Sequence, residues 1–77
     1  MNEKIMPQAL EKLAGKNQDE PVSFTLRITT PLSQEQIELL TGWGGKLLFD
    51  SGIMAIVTIP AGRVSDLAEW ETVEEII

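Results

Sequence analysis

Cysteine and histidine are both absent from this 77-residue chain. Without cysteine there is no disulfide framework and no thiolate metal site. Without histidine the commonest general base is gone, and with it Ser-His nucleophile pairs and imidazole metal ligands. Basic residues are few: six Lys and Arg against twelve Asp and Glu leave a net charge of −6. Lys4, Lys12, Lys16, Arg27, Lys46 and Arg63 are scattered along the chain. Nucleic acid is therefore not an expected partner, because phosphate neutralisation needs a cationic patch. No segment approaches the ~20 apolar residues of a membrane span, and the opening "MNEKIMPQ" lacks the apolar run of a signal peptide. The expectation is a cytosolic protein with no membrane association. Internal repeats and low-complexity runs are missing as well.

What is present suits one small domain. Hydrophobic residues make up 43% of the chain, enough for a single thin core with a net stability of ~3–5 kcal/mol. Residues 1–21 read as an N-terminal helix and linker, and 22–77 as the main domain. In the first part, "MPQALEKLAGK" has Pro7 where a first helical turn tolerates it and Gly15 where a helix stops. Met6, Leu10, Leu13 and Ala14 share one face at helical spacing, and "NQDEP" follows as a polar linker.

From Val22 the pattern changes to strict alternation. "VSFTLRITT" puts Val22, Phe24, Leu26 and Ile28 on one side and Ser23, Thr25, Arg27 and Thr29 on the other, the mark of a strand with one buried face. Pro31 ends it. "SQEQIELLTG" then opens a helix with Ser33 as N-cap and Gln36 three residues on, and Gly42 fits its C-terminal stop. "KLLFD" and "IMAIVTIP" are two further strands. "AGRVSDLAEW" carries Val64, Leu67 and Ala68 at helical spacing, and "TVEEII" is a short last strand.

The order strand-helix-strand-strand-helix-strand predicts an α+β fold, a ferredoxin-like βαββαβ split sandwich. It has a four-stranded antiparallel sheet with two helices on one face, plus the short N-terminal helix. The first and third strands are expected at the centre. "KLLFD" and the acidic "TVEEII" are expected at the edges, where charge discourages unwanted pairing.

Candidate chemistry is sparse. "LLFDSGIMA" has the look of an aspartic-protease loop, with Asp50 as its carboxylate. Such a site needs two carboxylates sharing a proton, and "AIVTIPAG" does not supply the partner segment that loop requires. Asp50-Ser51-Gly52 is better read as the tight turn of a hairpin. Glu69, Glu71, Glu74 and Glu75 lack the close spacing around a glycine turn that a hard-cation cage requires. "GWGG" lacks the Lys-Ser/Thr of a phosphate loop and leads into a strand. With no nucleophile–base pair, the chain reads as a non-enzyme without metal or cofactor. Trp43 and Trp70, at the ends of the two helices, are expected to cap the core from each side.

One feature points outward. If helices cover Ile53, Ala55, Val57 and Ile59, the opposite face shows Leu48, Met54, Ile56 and Thr58 beside Thr25 and Arg27. Such an apolar patch is covered either by the N-terminal segment, through Met6, Leu10 and Leu13, or by another protein.

The stretch "GGKLLFDSGIMAIVTIPAGRVSDLAEWETVEEI" (Gly44–Ile76) resembles the second half of subtilisin-type propeptides and related stand-alone protease inhibitors. Shared features are the Gly-Gly-Lys lead-in to a strand, a third strand of small and apolar residues, a "VSDLAEW"-type helix and a short "VEE" final strand. "SFTLRITT" and "SQEQIELL" fit that family's first strand and helix, whereas the Pro7–Ala14 helix has no counterpart there. The resemblance implies a non-catalytic protein-binding module, an inhibitor or folding helper of a subtilisin-like serine protease. Leu48, Met54, Ile56 and Thr58 would be the docking face, and Glu74, Glu75, Ile76 and Ile77 would lead towards the protease cleft. The alternative is a small assembly or regulatory protein that self-associates as a homo-oligomer, or pairs with another protein, through the open face or the N-terminal helix.

Overall fold

A computed structural model describes residues 3–77; Met1 and Asn2, the start of the N-terminal segment, lie outside the described residues. The elements run α1 (Pro7–Leu13), β1 (Pro21–Ile28), α2 (Gln34–Gly42), β2 (Lys46–Asp50), β3 (Met54–Pro60), a 3₁₀ turn (Ala61–Arg63), α3 (Val64–Ala68) and β4 (Val73–Ile76). The four strands form one antiparallel sheet in the order β2-β3-β1-β4. This is the ferredoxin-like arrangement, with β1 and β3 central and β2 and β4 outermost.

Alternation in β1 fixes which face is buried. Val22, Phe24, Leu26 and Ile28 lie in the core with Ala55, Val57 and Ile59 of β3, opposite Leu40 of α2 and Val64, Leu67 and Ala68 of the α3 segment. Register follows from that shared face: Phe24 pairs with Val57 and Leu26 with Ala55, because a slip of one residue would turn every core side chain to water.

Helix α2 begins as its sequence requires. The Ser33 hydroxyl accepts from the Gln36 amide and the Gln36 side chain accepts from the Ser33 amide, satisfying two otherwise orphaned donors. Its end differs from expectation. Gly42 is still helical, and the stop is Gly44, whose φ of +87° takes the left-handed conformation that glycine adopts without strain. The Gly44 amide donates to the Thr41 carbonyl at 3.0 Å and the Gly45 amide to the Leu40 carbonyl at 2.9 Å. These are the two bonds of a Schellman stop. The tryptophans also differ from expectation. Trp43 and Trp70 meet each other, with ring centroids 5.5 Å apart, and so close one side of the core together.

The N-terminal segment belongs to the same core. Ala9 is fully buried in it, with Ile5 and Leu13 packed alongside. Lys4–Met6 pair with the outer edge of β4: the Met6 amide donates to the Ile76 carbonyl, the Ile76 amide to the Lys4 carbonyl, and Ile5 bridges Ile76 in parallel. The linker is docked as well, through bonds from Ala61 to Glu20 and from Gly62 to Gln18.

Candidate functional site: the open face of the sheet

Two cross-strand rows build the face opposite the helices, with a polar end row beside them. In the middle row Phe49 stands opposite Ile56, Ile56 opposite Thr25, and Thr25 is bonded both ways to Ile77. Nearer the β2–β3 hairpin, Met54 pairs with Arg27 and Arg27 with Glu75. At the far end lie Lys46, Thr58 and Ser23. The middle row is therefore largely apolar, Met54 carries apolar surface on to the hairpin end beside the Arg27–Glu75 pair, and the far end is polar. Arg27 Nε lies 3.0 Å from Glu75 Oε1. The Ser23 and Thr58 hydroxyls share a hydrogen bond of 2.8 Å.

Helix α1 leaves this face open. It packs through Ala9 and Leu13 into the core, while Leu10 stays exposed. Of the two covers considered for the patch, the N-terminal segment is thus not the one in place. Met54 is 42% exposed, Phe49 47%, Leu48 53% and Ile53 72%. Thr25, Arg27, Ile53, Met54 and Ile77 line a mostly apolar depression of about 290 Å³ at the hairpin end.

The site residues expected from sequence divide into three groups. Met54, Ile56 and Thr58 lie on the open face, Thr58 and Ile56 half-buried. Leu48 is exposed but has no partner on β3, because the register shifts between Leu47 and Phe49. That bulge changes the phase of the strand and turns Phe49, not foreseen as part of the site, to the face of Ile56. The third group lies at the C-terminal strand. Glu75 and Ile77 join the face, and Glu74 is exposed. Ile76 is fully buried in the core, so its side chain is not a surface group for a partner. Ile53, expected among the covered residues, sits in the hairpin loop and is the most exposed of the large apolar side chains.

Asp50 holds two loops. Its Oδ1 accepts from the Gly52 amide at 2.8 Å and its Oδ2 from the Leu32 amide at 3.0 Å. The first bond is an Asx turn within the hairpin; the second ties the hairpin to the loop before α2. Asp50→Asn replaces one acceptor oxygen with an NH₂ facing a backbone donor, so it should lower stability by about 1–2 kcal/mol. A urea unfolding curve reads this directly. Among the described residues, no three acidic side chains converge on a possible metal site. A wider groove of about 450 Å³ beside Trp43 and Arg63 is open; its guanidinium lies over the Trp43 ring and is paired with Asp66.

Comparison with protein-family models, with curated proteins and with solved structures found no match.

Proposed function

We propose that this chain is a non-catalytic protein-binding module that docks through the open face of its sheet. The observation that carries this reading is the row Phe49–Ile56–Thr25–Ile77 with Met54 beside it, on a face that no helix covers. An exposed apolar surface with a polar rim suits a protein interface. The lack of histidine and cysteine, together with the structural engagement of Asp50, supports a non-catalytic role. Resemblance to subtilisin-type propeptides makes a subtilisin-like serine protease the first partner to test, with this chain as its inhibitor or folding helper in the cytosol. Ile76 is buried and Ile77 is hydrogen-bonded to Thr25. Docking by the sheet face, rather than occupation of the cleft by these residues, would then supply the affinity.

The test is calorimetric titration of a subtilisin-like protease with the chain, alongside residual peptidase activity. Saturable binding is expected. Absence of any heat or inhibition at protein concentrations of about 100 μM, where even weak specific complexes form, would exclude this class of partner.

A further inference from the structure

We infer that the open face is built to pair with a second copy of this chain, forming a two-fold dimer in which Lys46 of each subunit meets Glu75 of the other. This rests on the reading of that face as a docking surface and names an occupant for it. Charge placement carries the inference. Among the described residues, the strand positions on the open face carry three charges: Arg27, Glu75 and Lys46. Arg27 and Glu75 are paired with each other. Lys46 is exposed and makes no ion pair among the described residues.

Lys46 and Glu75 occupy diagonally opposite corners. Lys46 lies on the outermost strand β2, level with Thr58 and Ser23, and Glu75 on the opposite outermost strand β4, level with Arg27. Three strand spacings separate β2 from β4, ~14 Å, and the four residues from Ser23 to Arg27 span ~13 Å. The face is therefore nearly square. For a square, a two-fold axis between the two faces, along the other diagonal, exchanges these corners. Lys46 then lies over the partner's Glu75, and Glu75 over the partner's Lys46. The strands cross near a right angle, one of the two stable ways for sheets to stack. The apolar middle rows cross at the centre. Each Glu75 would sit between its own Arg27 and the incoming Lys46.

Other surfaces fit a second copy poorly. The helical segments carry Glu11, Glu35, Glu38 and Asp66 against Lys12 and Arg63, a net negative charge that disfavours pairing two such sides. The β4 edge is covered by Lys4–Met6, and the bulge in β2 interrupts the other edge. The four corners enclose roughly 180 Å² in projection; even with the side chains that overhang them the face is smaller than a standard specific interface, so a dimer weaker than ~1 μM is expected.

Sedimentation equilibrium over a concentration series tests this. The unaltered chain should show a monomer–dimer equilibrium. Lys46→Glu and Glu75→Lys, each alone, place like charges together and should raise the dimer dissociation constant at least about tenfold. An equimolar mixture of the two variants restores both opposite-charge pairs and should dimerise again. A monomer throughout, or a mixture no better than the single variants, overturns the proposal. Should Glu75→Lys fail to fold, Lys46→Glu decides alone, because Lys46 is exposed: an undiminished dimer refutes the geometry. A monomeric chain that still binds a protease through Met54 would sink the dimer and leave the docking reading standing.

Discussion

Deleting Ile76 and Ile77 should unfold this protein rather than merely weaken a partner contact. Ile76 is completely buried and pairs with Leu26 at the centre of the core. Loss of a buried isoleucine side chain alone costs about 2–5 kcal/mol. The deletion also removes the two backbone bonds between Ile77 and Thr25, the bonds of Ile76 to Lys4 and Met6, and the Lys12 ammonium contact with the Ile77 carbonyl. A domain of this size has only ~3–5 kcal/mol to lose. Far-ultraviolet circular dichroism of the truncated chain should show an unfolded spectrum at about 25 °C and no cooperative transition on heating. A folded truncation with unchanged melting would show that β4 contributes little to the core.

Gly45→Ala is the second large effect. A β-carbon at Gly45 would fall inside the van der Waals contact of the Thr58 carbonyl oxygen, 3.0 Å from Ile59 Cγ2 and 3.2 Å from Ile59 Cα. The obstacle is mostly β3 backbone in the centre of the sheet, which cannot step aside as a flexible side chain can. Relief requires moving either the Schellman stop of α2 or the start of β2 away from β3. Overpacking of this kind costs about 3 kcal/mol or more when backbone must shift, close to the whole margin. Gly42→Ala provides the contrast, since a β-carbon there meets nothing within 4 Å and alanine favours a helix by about 1 kcal/mol. Chemical denaturation of both variants should therefore give shifts of opposite sign.

Much of this architecture is legible in the chain because local signals and burial agree. Strict alternation in β1, the Ser33–Gln36 capping box and the helical spacing of Val64, Leu67 and Ala68 each specify an element and its inward face. What escapes the sequence is geometry set by contacts between elements. Three consecutive apolar residues, Leu47, Leu48 and Phe49, break alternation, yet nothing local says where the phase shifts. The bulge is fixed by pairing with β3, and it moves Phe49 onto the open face. The choice between Gly42 and Gly44 as helix stop depends on where the chain must turn to enter β2. For the N-terminal helix, Leu13 packs against the core as its spacing suggests, but Leu10 misleads. Small Ala9 is the buried contact because α1 approaches closely, while Leu10 remains exposed. The open face itself is legible in Met54, Ile56 and Thr58, since β3 keeps its alternation throughout.

Met54→Glu tests the role of that face most directly, with stability and association measured on the same samples. Met54 is exposed at the rim of the apolar depression, beside Arg27, so a carboxylate there can stay solvated in the isolated chain. The melting temperature should move by no more than about 5 °C, the equivalent of ~1 kcal/mol for a domain of this size. In a docked face the same carboxylate would be desolvated beside an Arg27 already engaged by Glu75, which is strongly unfavourable. Protease binding and self-association should then both be lost while the fold is kept. A folded Met54→Glu chain that binds its partner and self-associates as well as the unaltered chain would contradict the account.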